Sequence, residues 1–219
     1  MDDNGIITSV NLLHGNESES IDLPRLLEKE QTKGIEGSAV TADSLYDSLK
    51  NRVFIHGLGL KAYIPPRRKE KDIEGFIYDP KKDIITCPYG NIAKSGRCRQ
   101  ENGTLYNFNP KICRACMNKC KWYKIDRCRL FVSDELKLRA TDKDEFYNEA
   151  LNKRKSVERK FGEVKKWHGL RSARYRGKWR VTIQVLMTFI VVNVKRMVNI
   201  LKEGLNKVPN YSSLALEKG

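Results

Sequence analysis

Apolar positions recur along this chain with two different periods, and the places where the period changes mark its parts. In "IDLPRLLEKEQTKG" (21–34), Ile21, Leu23, Leu26 and Leu27 fall at helical spacing, "NESES" (16–20) supplies capping side chains and early acids, and Gly34 offers a stop. "SAVTAD" (38–43) reads as a short strand ending in Asp43, "SLYDSLKNRVFIHG" (44–57) as an amphipathic helix closed by Gly57, and "LKAYIPP" (60–66) as a strand stopped by two prolines. Upstream, "DDNG" (2–5) carries the Asn-Gly signal of a tight hairpin turn, and "IITSVNLL" (6–13) reads as a strand. Strand, helix, strand, helix, strand at this spacing predicts a βαβ-layered α/β core. A hairpin turn this close to Met1 has no first strand to connect, so the expectation is an N-terminally truncated sheet.

The character changes after the prolines. "RRKEKD" (67–72) is a charged linker, and 73–135 is rich in Cys, Gly, Asn and Tyr, with short strand candidates in "GFIYDP" and "DIITCPYG". From about 142 to 205 the pattern turns helical, first in "DKDEFYNEALNKRKSVERKFGEVKKWHG" and then in "WRVTIQVLMTFIVVNVKRMVNILKEG". The expected organisation is a core made of 1–66 and 140–206, a small Cys-rich insertion over 67–139 that is too poor in apolar residues to fold alone, and a disordered tail at 207–219. The apolar run 181–194 has 14 residues, including Thr, Gln and Asn. A bilayer span needs about 20, so the run is predicted to be a buried core helix, with no membrane partner.

Composition adds a direction. Of 219 residues, 40% are hydrophobic and 32% charged, which allows a packed core, and the net charge is +15. The charge is unevenly placed. Residues 1–50 hold ten acids against four Lys/Arg, whereas 151–180 hold twelve Lys/Arg against two Glu. Such asymmetry is the footprint of a polyanion partner, nucleic acid or an anionic surface. The acidic start has no basic stretch leading into an apolar one, so no signal peptide is expected. The six cysteines are then reduced thiols or metal ligands. The expected compartment is the cytosol or nucleoid.

Two carboxylates stand out. Asp43 ends a strand just before a helix, where open α/β sheets place ligands and where helix N-caps also sit. Glu158 lies one position round from the stripe Val157, Phe161, Val164 and His168, which is predicted to face the core. It reads either as an exposed ion pair with Arg154 or as a metal ligand amid Arg154, Lys155, Arg159, Lys165 and Lys166. Acids from separate elements converging in a cationic surface are what metal-assisted phosphoryl transfer requires. Beyond Glu158, Arg171, Arg174 and Arg176 are expected to meet phosphate, with Tyr175 and Trp179 interleaved, while Trp167 and His168 are expected to pack at the helix end. Cys113-x₂-Cys116 with Cys120 and Cys128 suits a structural zinc tetrathiolate, or four reduced thiols without metal. Lys119, Lys121, Trp122, Lys124, Arg127 and Arg129 around them suit a DNA-facing surface.

"VTADSLYDSLKNRVFIHGLGLKAYIPP", followed at a distance by "RKSVERKFGEVKKWHGLRSARYRG", resembles the second half of bacterial insertion-sequence transposases of the DDE type. The resemblance covers about residues 1 to 205. It implies a ribonuclease H-like mixed sheet with flanking helices, presenting two aspartates and a glutamate to two divalent ions, Mg²⁺ or Mn²⁺. It assigns Asp43 to the second carboxylate and Glu158 to the third. The partners it implies are double-stranded DNA, at element ends and target, and either a homodimer or the product of an upstream frame. Leu45 stands where the family's "ADxGY" carries glycine, and the first aspartate is missing, Asp2 and Asp3 being poor substitutes in their turn. The expectation is therefore a transposase fragment or second-frame product, inactive alone. The rival is a non-catalytic, zinc-stabilised DNA-binding protein in which both acids are structural.

Overall fold

Strands of three residues, each with one apolar face, persist only where something covers that face. The computed structural model describes residues 1–67, 73, 75–100, 102–118, 120, 123–124 and 127–205, and these form a mixed α/β fold. The chain divides into two units, Asn16–Arg154, and Met1–Gly15 with the chain from Lys155 onward. Residues 68–72 of the expected linker, the tail at 207–219, and Lys119, Lys121 and Trp122 lie outside the described residues.

Within the first of these units, helix α1 (Leu23–Thr32) has a proline in its opening turn. Strand β1 (Ala39–Thr41), helix α2 (Leu49–Gly57) and strand β2 (Lys61–Tyr63) follow. The strands pair in parallel, Val40 opposite Ala62, with α2 as the crossover. This is the predicted βαβ unit, with one difference. The stretch read as a single helix from 44 is a 3₁₀ turn at Ser44–Tyr46, then extended backbone at Asp47, then α2 capped by the Ser48 hydroxyl, which accepts from the Asn51 N–H at 3.3 Å. Leu23, Ile55, Ala62 and Ile64 form the core there.

That break turns Asp47 inward. Its carboxylate accepts from Arg52 Nε at 2.8 Å, from the Arg67 N–H at 2.8 Å and from Arg139. Arg52, 1% exposed, also donates to Asp142 Oδ2 at 2.7 Å and to the Ile64 carbonyl at 2.8 Å. Asp142 in turn accepts from the Ala62 N–H at 3.1 Å. Each nitrogen of this arginine, buried between two buried aspartates, thus has a hydrogen-bond partner, the condition under which buried charge is tolerated.

The same unit contains a six-stranded antiparallel sheet: β3 (Ile77–Asp79), β4 (Ile84–Thr86), β5 (Ile92–Gln100), β6 (Gly103–Asn107), β7 (Tyr123–Lys124) and β8 (Arg127–Ser133), in the order β3-β4-β5-β6-β8-β7. Asp83 and Asn102 adopt positive φ at its tight turns, a conformation their short polar side chains tolerate. A Cβ at Gly103 would lie 2.3 Å from the Phe131 ring and 2.6 Å from the Val132 carbonyl oxygen, so only glycine fits there. Phe76, Ile85, Tyr106, Phe108, Leu130 and Val132 are buried here in the largest apolar cluster among the described residues. The few apolar residues of 67–139 alternate along paired strands and meet on one face. Helix α4 (Asp134–Asp142) closes the cluster with Leu136, and its start is capped by the Ser133 hydroxyl, which accepts from the Leu136 N–H at 3.2 Å. Short helix α3 (Pro110–Ala115) lies between β6 and β7.

Helix α5 (Tyr147–Trp167) runs from one unit into the other, and α6 (Lys178–Leu205) follows a loop. In the second unit Val164 of α5 meets Phe189 and Val192 of α6, with Ile7, Val10, Leu170 and Val185 packed around them. The "DDNG" turn forms as predicted, with Ile6 N–H donating to Asp2 Oδ1 at 2.7 Å and Gly5 at φ 80°. The predicted strand at 6–13 does not. Its backbone is held instead by Asn193 of α6, whose side chain accepts from the Ile7 N–H at 2.9 Å and donates to the Ile7 carbonyl at 2.8 Å.

Helix α6 overturns a second expectation. Only Phe189 and Val192 in the 181–194 run are buried, while Ile183, Met187, Ile190, Val194, Met197 and Leu201 are 44 to 67% exposed. The helix is also longer than the apolar run. Lys178–Gly204, with a mean hydropathy of 1.5 in its most apolar window, meets the length and composition of a membrane span, and 11% of that window is buried.

Candidate functional site

Asp43 leaves the end of β1 with extended backbone, φ −74° and ψ 161°, at the N-cap of the 3₁₀ turn. Its side chain makes no capping hydrogen bond. One oxygen accepts from the Ser44 hydroxyl at 3.0 Å, the other lies 3.8 Å from Arg154 Nη1, and the side chain is 50% exposed. The contrast with Asp47, four residues on, is chemical. Burial raises the Asp47 pKa, but hydrogen bonds from Arg139, the Arg67 N–H and Arg52 outweigh it and hold the carboxyl below the usual carboxylate range. Every lone pair of Asp47 is committed to the fold, whereas Asp43 presents hard oxygen donors to solvent at the carboxyl end of a parallel strand.

In the other unit, Glu158 is an exposed residue of α5. Of the stripe beside it, Val164 is buried and Val157 and His168 are half-buried, but Phe161 is 50% exposed, its ring edge-on to Phe189 at 6.1 Å. The predicted cations divide. Arg154 is half-buried and faces Asp43, while Lys155, Arg159, Lys165, Lys166, Arg171, Arg174 and Arg176 are exposed.

The loop that carries the last three is shaped by Gln184 of α6. Its side chain accepts from the Arg174 N–H at 3.0 Å and donates to the carbonyls of Gly169 and Ser172, each at 3.3 Å. Gly169 has φ 70°, and a Cβ there would meet the Arg174 guanidinium at 2.6 Å. An open groove of about 510 Å³ beside the loop is lined by His168, Arg174, Tyr175 and Arg180. Trp167, expected to pack at the helix end, is instead 70% exposed with Lys166 Nζ 4.6 Å from its ring, and Trp179 is 75% exposed. Exposed rings interleaved with cations suit both phosphate contact and base stacking.

A second constellation lies in the larger unit. Cys87, Cys113, Cys116, Cys120 and Cys128 line one pocket of about 20 Å³, together with Tyr89, Asn91, Phe108, Asn118 and Tyr123. None of these five is in a disulfide. Burial pushes the Cys113 thiol up and the Cys128 thiol well up. Spacing alone pointed to four of them and left out Cys87. The missed signal is "CPYG", a turn closed by the Gly90 N–H on the Cys87 carbonyl at 2.9 Å, with Gly90 at φ 83° and the Asn91 N–H donating to Cys87 Sγ at 3.3 Å. Lys124 and Arg129 nearby are exposed. Among the described residues, no group of three or more His, Cys, Asp or Glu side chains is placed to hold a metal ion as it stands.

A family model described as a transposase DDE domain matches residues 86–198, more than half of the 219-residue chain. No curated protein and no solved structure matched. The matched span runs from the end of β4 through β5, β6, β7, β8, α4 and α5 into α6, and so contains Glu158 and the exposed cations over 155–176, while Asp43 lies before it. On that match the chain belongs to the transposase DDE domain family.

Proposed function

We propose that the chain serves DNA transposition through metal-assisted cleavage and transfer of DNA strands, with Asp43 and Glu158 as two of the carboxylates that hold the ion. Family membership supplies the transposase role and DNA as the partner. The observation that carries the finer reading is the state of Asp43, a half-exposed carboxylate that neither caps its turn nor enters the buried network.

The donor chemistry fits Mg²⁺ or Mn²⁺, since both carboxylates offer exposed hard oxygens. A bound ion of this kind would polarise a phosphate oxygen and activate water or a 3′ hydroxyl. The Ser44 hydroxyl and the Arg154 guanidinium orient the Asp43 carboxylate. Lys155, Arg159, Lys165, Lys166, Arg171, Arg174 and Arg176 position double-stranded DNA through sequence-independent phosphate contacts.

The test is cleavage of double-stranded DNA in the presence and in the absence of Mg²⁺. Glu158→Gln and Asp43→Asn should each abolish cleavage while DNA binding persists. Metal-independent binding with no cleavage under either condition, and tighter binding by Glu158→Gln, would replace this reading with a non-catalytic DNA-binding protein.

A further inference from the structure

We propose that four of the five clustered cysteines, Cys87, Cys113, Cys120 and Cys128, form a structural zinc site, and that Cys116 is not a ligand. Four separate pieces of chain bring these sulfurs to one pocket: the turn after β4, the last turn of α3, the link to β7, and β8. Cys120 Sγ and Cys128 Sγ are 3.7 Å apart. That is far beyond a disulfide length of about 2.05 Å. It matches the separation of about 3.8 Å between two sulfurs that share a tetrahedral zinc at Zn–S distances of about 2.3 Å.

Cys113 and Cys128 are buried, at 9% and 2% exposure, while Cys87 and Cys120 are half-buried, so an ion entering past the latter pair meets the former. The Asn91 N–H on Cys87 Sγ supplies the outer hydrogen bond that orients a ligand sulfur. Cys116 has another partner, its thiol donating to the Asn118 carbonyl at 3.3 Å. The C-x₂-C spacing therefore misleads: the fold replaces its second cysteine with one from a distant turn.

Four soft thiolates select zinc over the hard ions of phosphoryl transfer, and a closed set leaves no position for substrate. The site's work is mechanical. It ties the Cys87 turn and α3 to β8 where β7, only two residues long, adds little pairing.

The full-length chain, reduced and stripped of metal, is titrated with Co²⁺. One equivalent should bind, giving thiolate charge-transfer and tetrahedral d–d bands, and Zn²⁺ should displace it. Cys87→Ser should lose these bands and Cys116→Ser should keep them. Because Cys113→Ser and Cys128→Ser can disturb the core, the wild-type chain is also alkylated with and without a chelator and mapped by mass spectrometry. Cys87 and Cys120 should be protected by zinc and released by chelation, and Cys116 should be labelled in both states. Absence of tetrahedral Co²⁺ bands in the wild-type chain, retention of them in Cys87→Ser, or zinc-dependent protection of Cys116 would overturn the assignment.

Discussion

The six-stranded sheet and helix α6 are built from similar side chains and treat them in opposite ways. In the sheet, Ile85, Tyr106 and Val132 are fully buried and Leu130 nearly so. In α6, apolar residues occupy most of the circumference, and one stripe, Val185, Phe189 and Val192, meets α5 and the N-terminal segment. The difference lies in periodicity. A strand of period two gathers its apolar residues on a single face, which one layer such as α4 can cover. A helix that is apolar nearly all round needs partners on several sides. Hydropathy therefore reports how much a segment has to bury, and only contacts report how much of it is buried.

The sharpest way to break this contrast is the ionic network beside the sheet. Asp142→Ala leaves Arg52 buried without its partner and should cost about 3–5 kcal/mol in urea unfolding. A loss below about 1 kcal/mol would mean that the network does not hold α2, β2 and α4 together. Leu130→Ala, in the sheet core, should cost about 2–4 kcal/mol by the same measurement.

Acid should separate the two regions next. The Asp47 pKa is depressed in the folded chain, so its stabilisation is fully present above the unfolded value of about 3.9 and is lost as pH falls through the lower folded value. Unfolding free energy measured from neutral pH downward should fall in that acid window, and Asp47→Asn should flatten the profile as well as lower it at neutral pH. The smallest effect belongs to the open helix. Ile190→Ala, at a 55% exposed position, should stay within about 0.5 kcal/mol of wild type. A loss as large as that of Leu130→Ala would show that this face is covered in solution.

Legibility followed the range of the interaction. The βαβ unit and the placing of Asp43 at a strand end could be read from local period and turn residues, because both strands and their crossover lie within 39–63. The turn at 2–5 was equally legible, but the strand after it was not, since strand character at 6–13 needs a neighbour and the chain gives it the Asn193 amide instead. Helix α4 passed unnoticed beside the cysteine-rich stretch, although Ser133, Asp134 and Glu135 form an ordinary helix start. Trp167 looked like packing and is exposed, because Val164 and Leu170 already fill the space against α6.

By itself the sequence determined the alternation of elements, the concentration of positive charge over 151–180, and the pair of carboxylates, Asp43 and Glu158, that the family resemblance singles out. Those are properties of spacing and residue type, which the chain carries however it is folded. Tertiary structure decided that Asp47 is buried while Asp43 is open, that Cys87 joins cysteines far along the chain, and that α6 leaves most of its apolar surface uncovered. Each of these depends on which distant side chain occupies the neighbouring space, and no local pattern encodes that.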